Sequence, residues 1–182
     1  GHRIEEYFGN LLIGVRRCIY DSSYEGEDLS LLDWPDPTRV GDLAMARLLP
    51  VRQAIGQYLS GYGIESLCRG LELVTIRHSA GMTGEALRLK QWIQSCLDDC
   101  PQCSDYSALK AVYAVEPYDE SDTECSLGLE FTYADERYFK WRKFCEGSMG
   151  QIEASLGKPE EKISTRMKPL GPEQMIAEAL FF

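Results

Sequence analysis

The chain of 182 residues is 44% hydrophobic and carries 29 acidic against 19 basic side chains, which gives a formal net charge of −10. This length suits one domain, or one domain with a small extension, and it allows a hydrophobic core that needs no disulfide or metal to fold. The sequence has no apolar run of about eighteen residues, which excludes a membrane-spanning helix, and its acidic balance disfavours binding to a nucleic-acid backbone.

Residues 1–66 predict a helical section with two main helices that pack on a sheet. Apolar side chains recur every three or four positions over residues 3–20, and again from Val40 to Leu59. This period places them on one face of an α-helix. An acidic, polar loop separates the two predicted helices.

Short signals mark the ends of the second helix. Asp36 followed by Pro37 is typical of a helix start, because the carboxylate accepts hydrogen bonds from free backbone amides and proline is tolerated in the first turn. Pro50 is expected to kink the helix. Glycines on both sides of Tyr62 are expected to end it, before a short helical turn over residues 64–69.

Residues 71–168 predict a section in which short apolar strands alternate with helices. The expected elements, in chain order, are a strand at 71–76, a helix at 83–100, strands at 106–115 and 127–133, a helix at 135–156 and a strand at 163–167. This order is the ferredoxin-like βαββαβ arrangement. Both helices would then lie on one face of a four-stranded antiparallel sheet, and the N-terminal helices would cover the other face.

The helix expected at 135–156 has the most regular pattern in the chain. Its apolar residues are spaced by three or four positions, namely Tyr138, Trp141, Cys145, Met149, Ile152 and Leu156. Gly157 follows where a left-handed glycine often ends a helix, and Pro159 prevents continuation. Residues 169–182 predict a short C-terminal helix or tail that starts at Pro172, so the fold class is α+β.

The seven cysteines are odd in number and scattered, which is not the pattern of a secreted disulfide framework. A small secreted domain would show an even set at short, regular spacings. We therefore expect reduced thiols in an intracellular, cytoplasmic protein.

Three of these cysteines, Cys96, Cys100 and Cys103, lie close together and leave three interpretations open. They could bind zinc, although structural zinc sites usually show two short-spaced pairs. Cys100 and Cys103 have the spacing of a redox pair, but the helix precedes them, so its dipole disfavours a thiolate. We favour the third interpretation, in which Cys96 and Cys100 fill the core and Cys103 lies in a loop. Zinc is thus the one cofactor that the sequence suggests.

Two sequence features suit a protein partner, one acidic and one aromatic. Acidic side chains crowd residues 119–124, and aromatic side chains lie in the helix expected at 135–156 and at the end of the chain. The candidate partner-binding residues are Asp119, Glu120, Asp122, Glu124, Phe139, Phe181 and Phe182. An acidic surface of this kind complements a basic partner.

The sequence contains no complete catalytic or phosphate-binding motif, which favours a non-enzymatic function. We expect a protein–protein interaction or regulatory module with an acidic surface. A zinc-stabilised binding domain is one alternative. A small-molecule enzyme is the other, with a pocket between the sheet and the N-terminal helices and with His78 or Cys68 at its mouth.

Overall fold

The computed structural model describes residues 14–24, 34, 36–101, 103, 110–119 and 124–181. Its helices are α1 (Leu43–Arg47), α2 (Leu49–Leu59), α3 (Ile64–Cys68), α4 (Thr83–Asp98) and α5 (Pro172–Phe181). Its strands are β1 (Cys18–Tyr20), β2 (Val40–Asp42), β3 (Leu71–His78), β4 (Val112–Pro117), β5 (Cys125–Tyr133), β6 (Tyr138–Phe144), β7 (Met149–Ser155) and β8 (Glu161–Arg166). The α+β class is therefore confirmed.

The main sheet contains β3 to β8 in the spatial order β4-β3-β5-β6-β7-β8. β3 and β4 are parallel and are connected through α4, whereas β5 to β8 form an antiparallel meander on the other side of β3. The ferredoxin-like βαββαβ prediction is therefore wrong, because that arrangement needs a second crossover helix in place of the meander. β1 and β2 pair separately, in parallel.

β6 and β7 form a hairpin where the sequence predicts a helix at 135–156, so that prediction is wrong. The same residues also alternate: Phe139 and Trp141 are buried in β6, as are Ile152 and Ala154 in β7. Gly147 adopts a φ of 77° in the turn between the strands, a conformation that glycine tolerates best. Aromatic side chains pack well on a half-buried sheet, which favours the strand period over the helical one.

The prediction of a first helix over residues 3–20 is also wrong for residues 14–20, which the structure describes. Instead of continuing a helix over residues 3–20, Cys18–Tyr20 forms β1 and pairs with Val40–Asp42. Residues 3–13 lie outside the described part of the chain. The parallel pairing brings two distant segments together, which is a contact that local periodicity does not report.

The second predicted helix is divided into shorter pieces. Asp36 accepts a hydrogen bond from the Thr38 amide (3.1 Å), but it caps a turn of 3-10 helix rather than a long α-helix. Asp42 is the residue that caps α1. Pro50 lies in the first turn of α2, so the helical path breaks at Leu48 instead of bending at the proline.

Other predicted elements are confirmed. α3, β3, α4 and β5 lie where the sequence predicts them, β8 is an edge strand, and α5 begins at Pro172. The strand predicted at 106–115 is observed as β4, shifted toward the C-terminus, and residues 104–109 lie outside the described part.

α2 and α4 pack on the same face of the main sheet. Ile55 of α2 and Leu89 of α4 belong to one hydrophobic core with Trp141, and all three side chains are buried. The opposite face carries charged pairs such as Lys140 and Glu130, whose charged atoms lie 2.9 Å apart. The prediction that the N-terminal helices cover the face opposite α4 is therefore wrong.

Candidate functional site

A cavity of about 330 Å³ lies between the helical layer and the sheet. Its wall is mostly apolar and includes Leu48, Val51, Met82, Leu127, Met167 and Met175. We name it the methionine cavity after Met82, Met167 and Met175. The enzyme alternative, with a pocket between the sheet and the N-terminal helices, stays a prediction.

The break between α1 and α2 supplies one wall of the methionine cavity. The Asp42 carboxylate accepts a hydrogen bond from the Ala44 amide (3.0 Å), which starts the short helix α1. The chain then turns at Leu48, and α2 begins. This turn directs Leu48 and Val51 toward the sheet, where both side chains are buried.

Met167 forms another wall because the chain turns back immediately after β8. Its amide donates a hydrogen bond to the Ser148 carbonyl (2.7 Å), and its side chain is buried. Gly150 of β7 makes room for this side chain, since a Cβ there would lie 2.5 Å from Met167 Cε. A larger residue at position 150 would displace Met167.

α5 adds Met175 and is held by contacts with the N-terminal section. A Cβ on Gly41 would lie 1.9 Å from the Ala179 carbonyl oxygen, so the absence of a side chain lets β2 and α5 meet. Arg52 of α2 forms an ion pair with Glu178 (3.1 Å). The wall of the cavity thus depends on how α5 docks.

Glu85 is the polar group of the methionine cavity with the clearest unmet bonding capacity. Its side chain is only 5% exposed. Its Oε1 accepts a hydrogen bond from Arg47 Nε (2.6 Å), whereas its Oε2 is buried and has no hydrogen-bond partner in the described part of the chain. A buried carboxylate oxygen without a donor is costly.

Hydrogen bonds to Asp21 and Ser23, in the segment that follows β1, hold the Arg47 side chain in place. Its two terminal nitrogens donate to the two Asp21 oxygens (2.8 and 2.7 Å), and one of them also donates to Ser23 Oγ (2.8 Å). The hydrogen bond from Arg47 is the main reason that the pKa of Asp21 falls from 3.8 to about 2. Hydrogen bonds to Asp21 and Glu85 in turn raise the pKa of Arg47.

Lys143 is the third charged side chain in the wall of the methionine cavity, after Arg47 and Glu85. It pairs with Leu127 across β5 and β6, and its ammonium donates a hydrogen bond to Ser126 Oγ (3.2 Å). Among the described residues, no carboxylate lies within ion-pair distance of it. The cavity therefore combines a mostly apolar wall with three charged side chains, Arg47, Glu85 and Lys143.

A second cleft, of about 290 Å³, lies beside β1 and β2. Here Arg88, which is 4% exposed, forms an ion pair with Asp42 and donates hydrogen bonds to Tyr20 Oη (2.7 Å) and Gln91 Oε1 (2.8 Å). Asp42 also accepts from Ser22 Oγ (2.8 Å). These groups satisfy one another, so we interpret this cluster as a structural link between β1, β2 and α4.

The structure changes the interpretation of the cysteines. Cys68 and Cys103 form a disulfide and are both buried, with their Cα atoms 5.6 Å apart. The prediction of reduced thiols throughout, with Cys103 as a loop thiol, is therefore wrong for this pair. Cys96 is exposed and Cys100 is partly buried, so Cys96 does not fill the core as expected.

The zinc prediction at Cys96, Cys100 and Cys103 stays a prediction. In the described ranges, no group of three potential ligand side chains is arranged to hold one ion. Cys103 would have to be released from Cys68 by reduction before its sulfur could act as a thiolate ligand.

His78 and Cys68 do not line the methionine cavity. His78 is buried at the end of β3, and its Nδ1 lies 3.0 Å from the Ser79 carbonyl oxygen. Cys68 is bonded to Cys103. Neither residue that the enzyme alternative places at the mouth of a pocket therefore lies in the wall of this cavity.

The candidate partner-binding residues have different surroundings. Phe139 is fully buried and packs against Phe131, with ring centroids 5.2 Å apart, so its assignment to an exposed patch is wrong. Asp119 and Glu124 are exposed, as is Phe181. Glu120, Asp122 and Phe182 lie outside the described residues.

Sequence reasoning missed Glu85 and Lys143. The sequence does indicate that Glu85 is buried, because it lies four positions before the core residue Leu89 and therefore on the same face of a correctly predicted helix. The sequence does not indicate that Lys143 faces the cavity, because residues 135–156 were predicted to be a helix. Lys143 lies on the cavity side of the sheet because it pairs with Leu127 across β5 and β6.

Within the described ranges, every helix is too short or too polar to cross a bilayer. Comparisons with protein-family models, curated proteins and solved structures found no match. The function is therefore inferred from the residues of the chain itself.

Proposed function

We propose that the chain is a binding module for a small, largely apolar molecule that occupies the methionine cavity. The observation that carries this proposal is the cavity of about 330 Å³ between the helical layer and the sheet, whose wall is mostly apolar. Apolar pockets of this size with a few polar groups are the usual form of small-molecule sites.

The form of the cavity supports a ligand. Its mostly apolar wall joins residues of the helical layer, the sheet and α5. A small apolar molecule that fills it would remove its own apolar surface and that of the wall from water, which stabilises the complex by about 25 cal/mol per Å².

The three methionines suit a binding wall. A methionine side chain is unbranched and polarizable, so it adapts its shape to an apolar guest. Met82, Met167 and Met175 come from three separate parts of the chain. We infer binding rather than catalysis because, within the described part of the wall, no nucleophile stands beside a base.

Filling the cavity tests this proposal. Met175→Trp is expected to place an indole in the cavity and to weaken binding of a neutral naphthalene dye such as prodan at least about tenfold. The matched control is Met149→Trp, since Met149 is 40% exposed on β7 and does not line the cavity. Dye fluorescence gives the affinity, and thermal unfolding shows that both variants are folded. Equal dye binding by the two variants would contradict the proposal.

We propose a protein partner as a second candidate, because exposed apolar side chains lie on α5. Phe181 is 71% exposed and Ile176 is 47% exposed. Exposed apolar groups of this kind, together with the acidic surface expected around Asp119 and Glu124, suit an interaction with a basic partner.

Affinity capture at low and high salt tests the second candidate. A basic partner should be lost at high salt, because screening weakens attraction between exposed charges. Phe181→Ser should weaken capture, whereas Tyr24→Ser, at another exposed aromatic, should not. A partner set that is the same at both salt concentrations would remove the acidic surface from the proposal.

The zinc-stabilised domain stays a third proposal, and it concerns the reduced protein. Protein purified in reductant without added metal should then retain zinc, and Cys100→Ser should lose it. Elemental analysis that finds no zinc in the reduced wild type would contradict this proposal.

A further inference from the structure

We infer that two copies of this chain associate through β8, whose outer edge pairs antiparallel with the same edge of a second copy. The main sheet ends at β8, and in the described part of the chain no strand pairs with the side of β8 that faces away from β7. The pairing joins two six-stranded sheets into one. A two-fold axis perpendicular to the sheet leaves both helical layers on the same side.

The backbone of β8 shows which residues face the outer edge. The Met167 amide, one residue after β8, donates a hydrogen bond to the Ser148 carbonyl (2.7 Å) on the side of β7. Successive residues of an antiparallel strand point their backbone groups to opposite sides, so Ile163 bonds toward β7. The even-numbered residues of β8 direct their N–H and C=O groups outward, namely Lys162, Ser164 and Arg166.

The side chains of β8 select one register. Residues directly opposite each other in a sheet share a face, so a symmetric pairing places one residue opposite itself. With Ile163 at the centre, Lys162 lies opposite the second copy's Ser164, and Glu160 lies opposite its Arg166. A centre at Ser164 would place Lys162 opposite Arg166, and a centre at Lys162 would place that residue opposite itself. Both of these alternatives set cations opposite each other, which is destabilising.

The Ile163 register also complements β8 in polarity and charge. Ile163 is 41% exposed, although its neighbour Ile152 in β7 is buried. Two Ile163 side chains facing each other would remove both from water. Glu160 and Arg166 are exposed and of opposite charge, and the symmetry forms their contact twice. Lys162 keeps its ion pair with Glu153 (2.5 Å), so its charge is already compensated.

Light scattering after size-exclusion chromatography of the full chain tests the association. One strand pair is a small interface, so we expect monomer at about 1 μM and mostly dimer at about 300 μM protein. Ile163→Lys should weaken the dimer about tenfold or more, because it places two ammonium groups opposite each other. The matched control is Val112→Lys, at a residue 64% exposed on β4, the opposite edge of the sheet. It should leave the dimer unchanged.

A charge reversal tests the register. Arg166→Glu places a carboxylate opposite Glu160 and should weaken the dimer about fivefold or more. Adding Glu160→Arg to this variant restores opposite charges and should restore the dimer. A loss caused by misfolding would not be rescued in this way. Both positions are exposed, so thermal unfolding should differ little between the variants.

Hydrogen exchange reports the pairing directly. The Lys162 and Ser164 amides should exchange more slowly at high than at low protein concentration, whereas the Ile163 amide, which faces β7, should not change. Wild-type protein that stays monomeric at about 300 μM, or a dimer that Ile163→Lys leaves intact, would overturn the inference. If Ile163→Lys does not fold, the charge reversal decides, and a double variant that stays monomeric contradicts the register.

Discussion

Arg47 links the segment that follows β1 to the wall of the methionine cavity. It joins Asp21 and Ser23 on one side to Glu85 on the other. Since the ion pairs are partly buried, they are less screened than surface pairs and hold the guanidinium in one orientation. The free oxygen of Glu85 is a consequence of this arrangement, because Arg47 is already engaged.

Asp21→Asn is expected to lower the free energy of unfolding at neutral pH by about 1–3 kcal/mol, because it removes a charged hydrogen-bond partner of Arg47. The folded-state pKa of Asp21 is about 2, below its ordinary value of 3.8. The ionised carboxylate therefore stabilises the fold above pH 3.8, and this stabilisation is lost as the pH falls toward 2. Chemical denaturation of both proteins at several pH values measures it.

The control for this prediction is Asp119→Asn, at an exposed carboxylate. It should change the stability little at any pH. A difference between wild type and Asp21→Asn that stays constant from neutral pH down to about 2 would show that the Asp21 charge does not stabilise the fold.

At the scale of elements, the docking of α5 places Met175 in the wall of the methionine cavity. Gly41→Ala is expected to destabilise the protein by about 1–3 kcal/mol, because its Cβ would lie 1.9 Å from a backbone oxygen of α5 that cannot move alone. Hydrogen exchange should show α5 losing protection before the main sheet does.

Gly56→Ala is the matched control for α5 docking. Gly56 lies inside α2, and a Cβ there would have no atom within 4 Å. Alanine favours helix over glycine by up to about 1 kcal/mol, so this variant should be slightly more stable than wild type. If Gly41→Ala were equally harmless, the close contact between β2 and α5 would not exist.

Elements with an unambiguous period were predictable from sequence, and those with two possible periods were not. α4 and α5 have a single helical face, and in the sequence of β5 apolar residues stand at every second position from Leu127 to Tyr133. Residues 138–155 fit both periods, and the choice depends on Phe139 and Trp141 finding a helical layer to pack against. That layer is built from residues distant in the chain, so local pattern does not reveal it.

The candidate site was not predictable from the sequence. Glu85 lies on a helix whose position was correct, but nothing local shows that Arg47 occupies one of its oxygens and leaves the other free. Met167 enters the cavity because Gly150 makes room for it across the sheet. Such contacts follow from strand order, which the sequence-based prediction had wrong.

At the scale of the whole molecule, the disulfide between Cys68 and Cys103 is expected to stabilise the fold. Cys68 and Cys103 are 35 residues apart, and reduction should lower the free energy of unfolding by about 3–4 kcal/mol, through the greater freedom of the unfolded chain. Denaturant unfolding with and without reductant measures the loss. Thiol titration of the unreduced, unfolded protein should find the five free cysteines.

Cys96→Ala is the control for the disulfide, because Cys96 is free and exposed. It should leave the stability nearly unchanged, whereas Cys103→Ala should reproduce the effect of reduction. Titration of all seven thiols without reductant would show that the disulfide does not form.

Methionine methyl NMR tests the binding function most directly, because the chain has five methionines and three of them line the cavity. Titration with 1-naphthol should shift the methyl signals of Met82, Met167 and Met175 with one saturating affinity and leave Met149 in place. Signals of the three that do not move, or that move only as much as Met149, would contradict the account.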